Sequence, residues 1–121
     1  MAKIYVASNE VPRAKEVMRA LVQAGHTITF DWTIDIENQE GKAEKALVER
    51  EAVRDCDILV YLWKANQESA RFEAGMAMGL RKPVIVSAEN HNAWFFALPE
   101  VTQVMSDDQI VSVVSKKCSV I

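Results

Sequence analysis

Short apolar runs alternating with amphipathic, helix-length stretches constrain this chain more than any other feature. Ile4-Tyr5-Val6-Ala7, Ile58-Leu59-Val60-Tyr61-Leu62 and Val84-Ile85-Val86-Ser87 are apolar almost without interruption. A strand that is apolar on both sides has both faces covered, which is the condition of a parallel sheet between helical layers. Thr27-Ile28-Thr29-Phe30 alternates as a further strand, and Val101 to Val104 supplies a fifth. From Arg13 to Ala24 the residues Ala14, Val17, Met18, Leu21 and Val22 recur at helical spacing after Pro12, and Gly25 stops the run. Ala43 to Asp55 is helical in the same sense, with Ala46, Leu47, Ala52 and Val53 as its apolar face. Asp107 to Lys116 forms the last helix, capped by Ser106. The expected fold class is therefore α/β, a flavodoxin-like or Rossmann-like three-layer sandwich. It has a five-stranded parallel sheet in the order 2-1-3-4-5 and a ligand crevice where strands 1 and 3 part. One domain, 1–121, is expected from this length.

Composition narrows the function. Half of the residues are apolar and 26% charged, which describes an ordinary globular protein. A net charge of −3, without a basic stripe interleaved with aromatics, argues against nucleic acid as a partner. The start of the chain resembles neither a signal peptide nor a membrane span. Cys56 and Cys118 are far apart without ligand-like neighbours, so neither a disulfide nor a zinc site is expected, and a cytoplasmic setting fits. His26 follows Gly25 at a helix end, where a cation suits the dipole. Lys116 to Ile121 has the outline of a prenylation box, but Ser119 is not aliphatic and Ile121 is not a usual last residue.

The segment Ser69 to Gly79 carries the chemistry. It follows the apolar strand ending at Leu62 and holds two of the four glycines, Gly75 and Gly79. Each costs about 1 kcal/mol in a helix relative to alanine, which predicts close approach of another backbone or a ligand. Glu73 falls near the start of this helix, at the edge where open α/β sheets hold ligands. Two readings of it compete: a carboxylate nucleophile, or an acidic first-turn residue stabilising the helix dipole. The glycines likewise have a packing reading. Around Glu73 the topology gathers Ser8, Asn9 and Arg13 after strand 1, Asp31, Trp32 and Asp35 after strand 2, and Ser69 and Arg71 after strand 3. A carboxylate, hydrogen-bonding groups and an exposed tryptophan suit a small polar ring compound. GxGxxG, GxxxxGK[ST] and Gly-x-Ser-x-Gly are missing, and no cysteine pairs with a histidine.

These residues resemble the nucleoside 2-deoxyribosyltransferase family and its relatives, the deoxynucleoside 5′-monophosphate N-glycosidases. The resemblance runs through Lys3 to Ser8, Ala24-Gly25-His26, Cys56 to Val60, Ser69 to Gly79 and Lys82 to Val86. It implies that Glu73 is a nucleophile forming a covalent deoxyribosyl ester, that Tyr5 orients it, and that Asp57 fixes the base or its leaving nitrogen. Ser69 falls where monophosphate-specific relatives place a serine near the phosphate. Relatives carry an aspartate on the second helix, where this chain offers Glu49 or Glu51; Asp31 and Asp35 compete for the general acid. The resemblance implies a nucleoside or nucleotide substrate, no cofactor or metal, and a homodimer or higher homo-oligomer. Trp94, Phe95 and Phe96 could lie at such an interface or fold inward. The other reading is a non-catalytic or TIR-like nucleotide-binding and signalling module on the same fold.

Overall fold

The computed structural model describes residues 1–34, 41–89 and 91–118. Five strands, β1 (Lys3–Ala7), β2 (Thr27–Ile28), β3 (Ile58–Leu62), β4 (Val84–Ser87) and β5 (Val101–Val104), form one sheet in the order β2-β1-β3-β4-β5. All four pairings are parallel, with Tyr5 opposite Leu59, Leu59 opposite Val84 and Ser87 opposite Val104. Four helices, α1 (Val11–Gln23), α2 (Lys42–Asp55), α3 (Ser69–Gly79) and α4 (Ile110–Cys118), cover the two faces. This is the flavodoxin-like α/β arrangement.

Successive strand residues point to opposite faces, so each strand feeds two cores. Ile4, Val6, Ile58, Val60, Leu62 and Ile85 pack with Ala14, Val17, Met18 and Leu21 of α1 and with Ile110 and Val114 of α4. Tyr5, Ala7, Leu59, Tyr61, Val84 and Val86 meet Ala52 and Val53 of α2 and Ala70, Ala74 and Ala77 of α3. The alanine stripe lets α3 lie close to the sheet. Gly75 and Gly79 do not serve that purpose: a Cβ at either would meet nothing within 4 Å. Of the two expected approaches, by another backbone or by a ligand, the backbone one is not seen among the described residues. The glycines face outward on α3, and the small residues that matter for packing are the alanines.

Several boundaries differ from the sequence reading for identifiable reasons. β2 stops at Ile28 rather than Phe30. Beyond it the indole Nε1 of Trp32 donates to the Val6 carbonyl at 2.7 Å, occupying an acceptor that a longer strand would use. In α2 only Ala52 and Val53 are buried, while Leu47 is 50% exposed, so among the described residues nothing covers the apolar face expected of its first half. The last helix begins as a 3₁₀ turn, Asp107–Gln109, with Ser106 and Gln109 forming a capping box.

Gly25, at φ +96°, ends α1: the His26 N–H bonds Leu21 O and the Gly25 N–H bonds Val22 O. That pairing is a Schellman cap. It does not leave His26 as a cation on the helix end. The imidazole is buried, its Nδ1 accepts the Ala2 N–H at 3.1 Å, and burial together with the nearby N-terminus depresses its pKa. His26 is a neutral acceptor tying β1 to the end of α1.

Candidate active site between β1, α2 and α3

Tyr5 sits mid-way along β1 with its ring on the α2/α3 side of the sheet and no exposed surface. Its hydroxyl donates to Glu73 Oε2 at 2.6 Å and lies 3.3 Å from Glu49 Oε1. Glu73 is the fifth residue of α3, beyond the first turn, and is 7% exposed. The dipole reading of Glu73 therefore fails on position. A carboxyl group held in an apolar core needs another reason to be there.

Electrostatics supplies the character of this cluster. Burial drives the Glu73 pKa up to about 9, the hydrogen bond and charge of Glu49 push it further in that direction, and the Tyr5 hydroxyl opposes them. Burial and the two carboxyls likewise raise the Tyr5 phenol well above its ordinary value, so it stays a donor. A phenol has one proton and cannot donate to both acids. With the short phenol bond given to one Glu73 oxygen, the raised pKa keeps a proton on Glu73 at neutral pH, and Glu49 lies beside the phenol, where it can accept that proton. Two carboxyls that share one proton titrate as a pair. A pair of carboxyls, one acting as nucleophile and the other handling the proton, is the combination used in glycosidic bond cleavage with retention.

The sequence reading placed Tyr5 and Glu73 together, and the structure brings them into contact. It also chooses between Glu49 and Glu51. Glu49 is half-buried against Tyr5, whereas Glu51 lies on an exposed face beside Arg54. Asp57 is elsewhere. Its Oδ2 accepts the Lys3 N–H at 2.9 Å where β1 and β3 begin, the opposite edge of the parallel sheet from the crevice. Its expected contact with a base is corrected to a strand-end tie.

The loop residues expected around the crevice are used largely within the chain. Ser8 Oγ accepts the Glu10 N–H at 3.0 Å, and Asn9 Nδ2 donates to Asn66 O at 2.7 Å. Asp31 Oδ1 takes both the backbone N–H and the hydroxyl of Thr33. Trp32, expected as an exposed platform, is half-buried over the end of β1. Arg13 is held by both carboxylate oxygens of Asp107 at 2.8 and 2.9 Å and by the Trp63 carbonyl at 3.1 Å. Burial would raise Asp107, but the bonds and charge of Arg13 and the Ser87 hydroxyl hold it below the usual carboxylate range. Ser69 stays exposed as the first residue of α3, and Arg71 Nη2 donates to Ala65 O at 3.3 Å. Asp35 and the terminal 119–121 of the prenylation-like box lie outside the described residues.

Gln67 had no place in the sequence reading. It is buried, donates to Leu62 O at 2.7 Å and Asn9 Oδ1 at 3.3 Å, and accepts the Lys64 N–H at 3.0 Å. It staples the β3–α3 loop to the β1–α1 loop and so sets where α3 starts. A lone glutamine among polar loop residues carries no signal of that role. Among the described residues no group of three or more His, Cys, Asp or Glu could hold a metal ion, and no helix is long and apolar enough to cross a membrane.

An open parallel sheet in this order, with a buried Glu73 and a half-buried Glu49 beside the strand 1–strand 3 divide, defines a flavodoxin-like α/β protein with a ligand-crevice topology. Among solved structures of this fold, the chain is similar to the Clostridium botulinum CMP N-glycosidase BcmB. The TM-score is 0.71 over 94% of this chain and 98% of that one, at 12% identity. No protein-family model matches the sequence, and no curated protein matches it. At that identity the likeness establishes a common fold.

Proposed function

We propose that this protein cleaves the N-glycosidic bond of 2′-deoxynucleosides or their 5′-monophosphates through a covalent deoxyribosyl ester on Glu73. The observation that carries this reading is the Tyr5–Glu73–Glu49 cluster: a buried carboxyl with a phenol donor on one oxygen and a second acid beside it. The fold it has in common with a CMP N-glycosidase supports the substrate class.

In the first step Glu73 passes its proton to Glu49, and the freed Glu73 oxygen bonds to C1′ as the C1′–N bond breaks. The bonding pair leaves with the base, which takes the proton of Glu49. Tyr5 keeps its hydrogen bond to the other Glu73 oxygen and so fixes the attacking lone pair. In the second step water adds to C1′, the ester C1′–O bond breaks, and Glu49 accepts the water's proton. A second base in place of water gives transfer instead of hydrolysis. Ser69 and the first N–H groups of α3 face the crevice side, where a 5′-phosphate would be accommodated by the helix N-terminus.

The test is incubation with deoxyadenosine, deoxycytidine and their 5′-monophosphates, with and without a second free base, followed by chromatography of released and exchanged base. Release without added base identifies hydrolysis, and exchange only with added base identifies transfer. Quenched reactions should carry a deoxyribosyl mass on the peptide containing Glu73. Binding of a nucleotide without turnover, in wild type and Glu73→Ala alike, would replace the enzyme by a binding module.

A further inference from the structure

A cavity lies beside α3 whose lining includes none of Glu49, Tyr5 and Glu73. It has a volume of about 220 Å³ and is bounded by Tyr61 of β3, Trp63 just after it, Arg71, Gly75 and Met78 of α3, and His91 and Phe96 between β4 and β5. Its interior is built from rings. Trp63 and His91 are 4.3 Å apart between centroids, His91 and Phe96 are 5.2 Å apart, and Phe96 meets Tyr61 edge-on at 6.4 Å. On the α3 side Gly75 leaves the wall open, since a Cβ there would meet nothing within 4 Å. The Ala93 N–H bonds His91 Nδ1, which fixes the imidazole in place.

One polar group in this cavity is unaccounted for. Tyr61 is 2% exposed, and its hydroxyl is buried without a hydrogen-bond partner. The exposed Arg71 guanidinium, which bonds Ala65 O, also acts on the Tyr61 phenol, but arginine can only donate, so the Tyr61 O–H still lacks an acceptor. A buried O–H without an acceptor costs about 1–3 kcal/mol, a penalty that an acceptor supplied from outside the chain would remove.

We propose that this cavity binds one planar heteroaromatic ring that bears a hydrogen-bond acceptor, of the class of a free pyrimidine or purine base. The ring stacks against Trp63, His91 and Phe96, and its acceptor takes the Tyr61 O–H, with the Arg71 guanidinium alongside. The volume falls below the 300–1,000 Å³ usual for sites holding a whole drug-sized ligand, which selects a ring over a complete nucleotide. This site does not depend on the N-glycosidic reading, because ring binding here requires nothing of Glu73.

The experiment is NMR titration of the full chain with cytosine, uracil and adenine, with dihydrouracil as a control that keeps uracil's carbonyls on a puckered ring. The aromatic bases should shift the Trp63 indole and the Gly75 and Ala93 amides, and dihydrouracil should bind at least tenfold more weakly. Tyr61→Phe should weaken binding about three- to tenfold while raising the melting temperature of the unliganded protein, because it removes an orphan. Gly75→Val should abolish the shifts. Shifts confined to Trp32, Ser8 and Ser69, equal binding of dihydrouracil, or unchanged affinity in Tyr61→Phe would overturn the proposal. So would a protein that binds no base and dissociates from dimer to monomer on Gly75→Val, which would make the cavity a socket for a second copy.

Discussion

The hydroxyl of Tyr5 stands 2.6 Å from Glu73 Oε2 across 68 residues of sequence, buried between the sheet and α3. Nothing in either residue's neighbourhood along the chain requires the other. The parallel register that sets Tyr5 beside Leu59, and the alanine stripe that seats α3 on that face, create the contact. The first prediction concerns this bond. In Tyr5→Phe, Glu73 loses a charge-assisted donor worth about 1.5–3 kcal/mol, so kcat for base release should fall about 10- to 100-fold with KM little changed. The lost bond is also one that lowers the Glu73 pKa. The variant's rate should therefore keep rising with pH where the wild type has levelled. A parallel drop at every pH would mean that Tyr5 acts only through packing.

Glu49 and Glu51 are two residues apart on one exposed helix, and only the first reaches Tyr5. Glu49→Gln should lower kcat about 100- to 1,000-fold, as loss of a general acid does, while Glu51→Gln should leave it within twofold. A 7-methylpurine deoxynucleoside, whose base departs without needing a proton, should recover most of the rate in Glu49→Gln. If the activated substrate is as slow as the ordinary one, Glu49 is not the acid.

Burial of Glu73 has a thermodynamic signature independent of turnover. Its folded pKa is raised from 4.5 to about 9, so the folded state holds a proton that the unfolded chain releases. The resulting contribution to stability is complete below the unfolded value and is lost as pH rises through the folded one. Urea denaturation of the wild type should show stability falling between pH 5 and 8. Glu73→Gln should flatten that slope and be the more stable protein at pH 8 by on the order of 2 kcal/mol. A wild type equally stable at both pH values would contradict the shift.

Asp57 provides the counter-test. As the acceptor of the Lys3 N–H, it should cost about 1 kcal/mol of stability when changed to alanine and little when changed to asparagine, which can still accept. Base release should stay within twofold in both. A large loss of kcat in Asp57→Asn would return the residue to the reaction.

The sheet order and the limits of α3, β4 and β5 were legible because uninterrupted apolar runs admit few other folds. The failures have local causes. A strand buried on both faces, such as β1, shows no alternation, so its sequence cannot say that Tyr5 faces the α2/α3 layer while Ile4 faces α1. Trp32 and Asp31 read as free loop residues because the acceptor at Val6 and the turn at Thr33 are visible only in three dimensions. Asp57 opens a strand, and parallel strands place such residues on the far edge from the crevice. His26 was read from the helix end alone, without the Ala2 N–H that it accepts.

Helix α2 carries one half of the carboxyl pair yet buries only Ala52 and Val53, while α3, carrying the other half, buries Ala70, Glu73, Ala74 and Ala77. Local opening follows the weakest anchorage, and backbone amides report it at a cost well below that of global unfolding. Opening α2 would also relieve the crowding of two acids in one dry space. The pair is thus assembled from one firmly seated partner and one hinged to the protein mainly by its final turn. Undocking of α2 would carry Glu49 away from Tyr5 and Glu73 while leaving the sheet beneath it untouched.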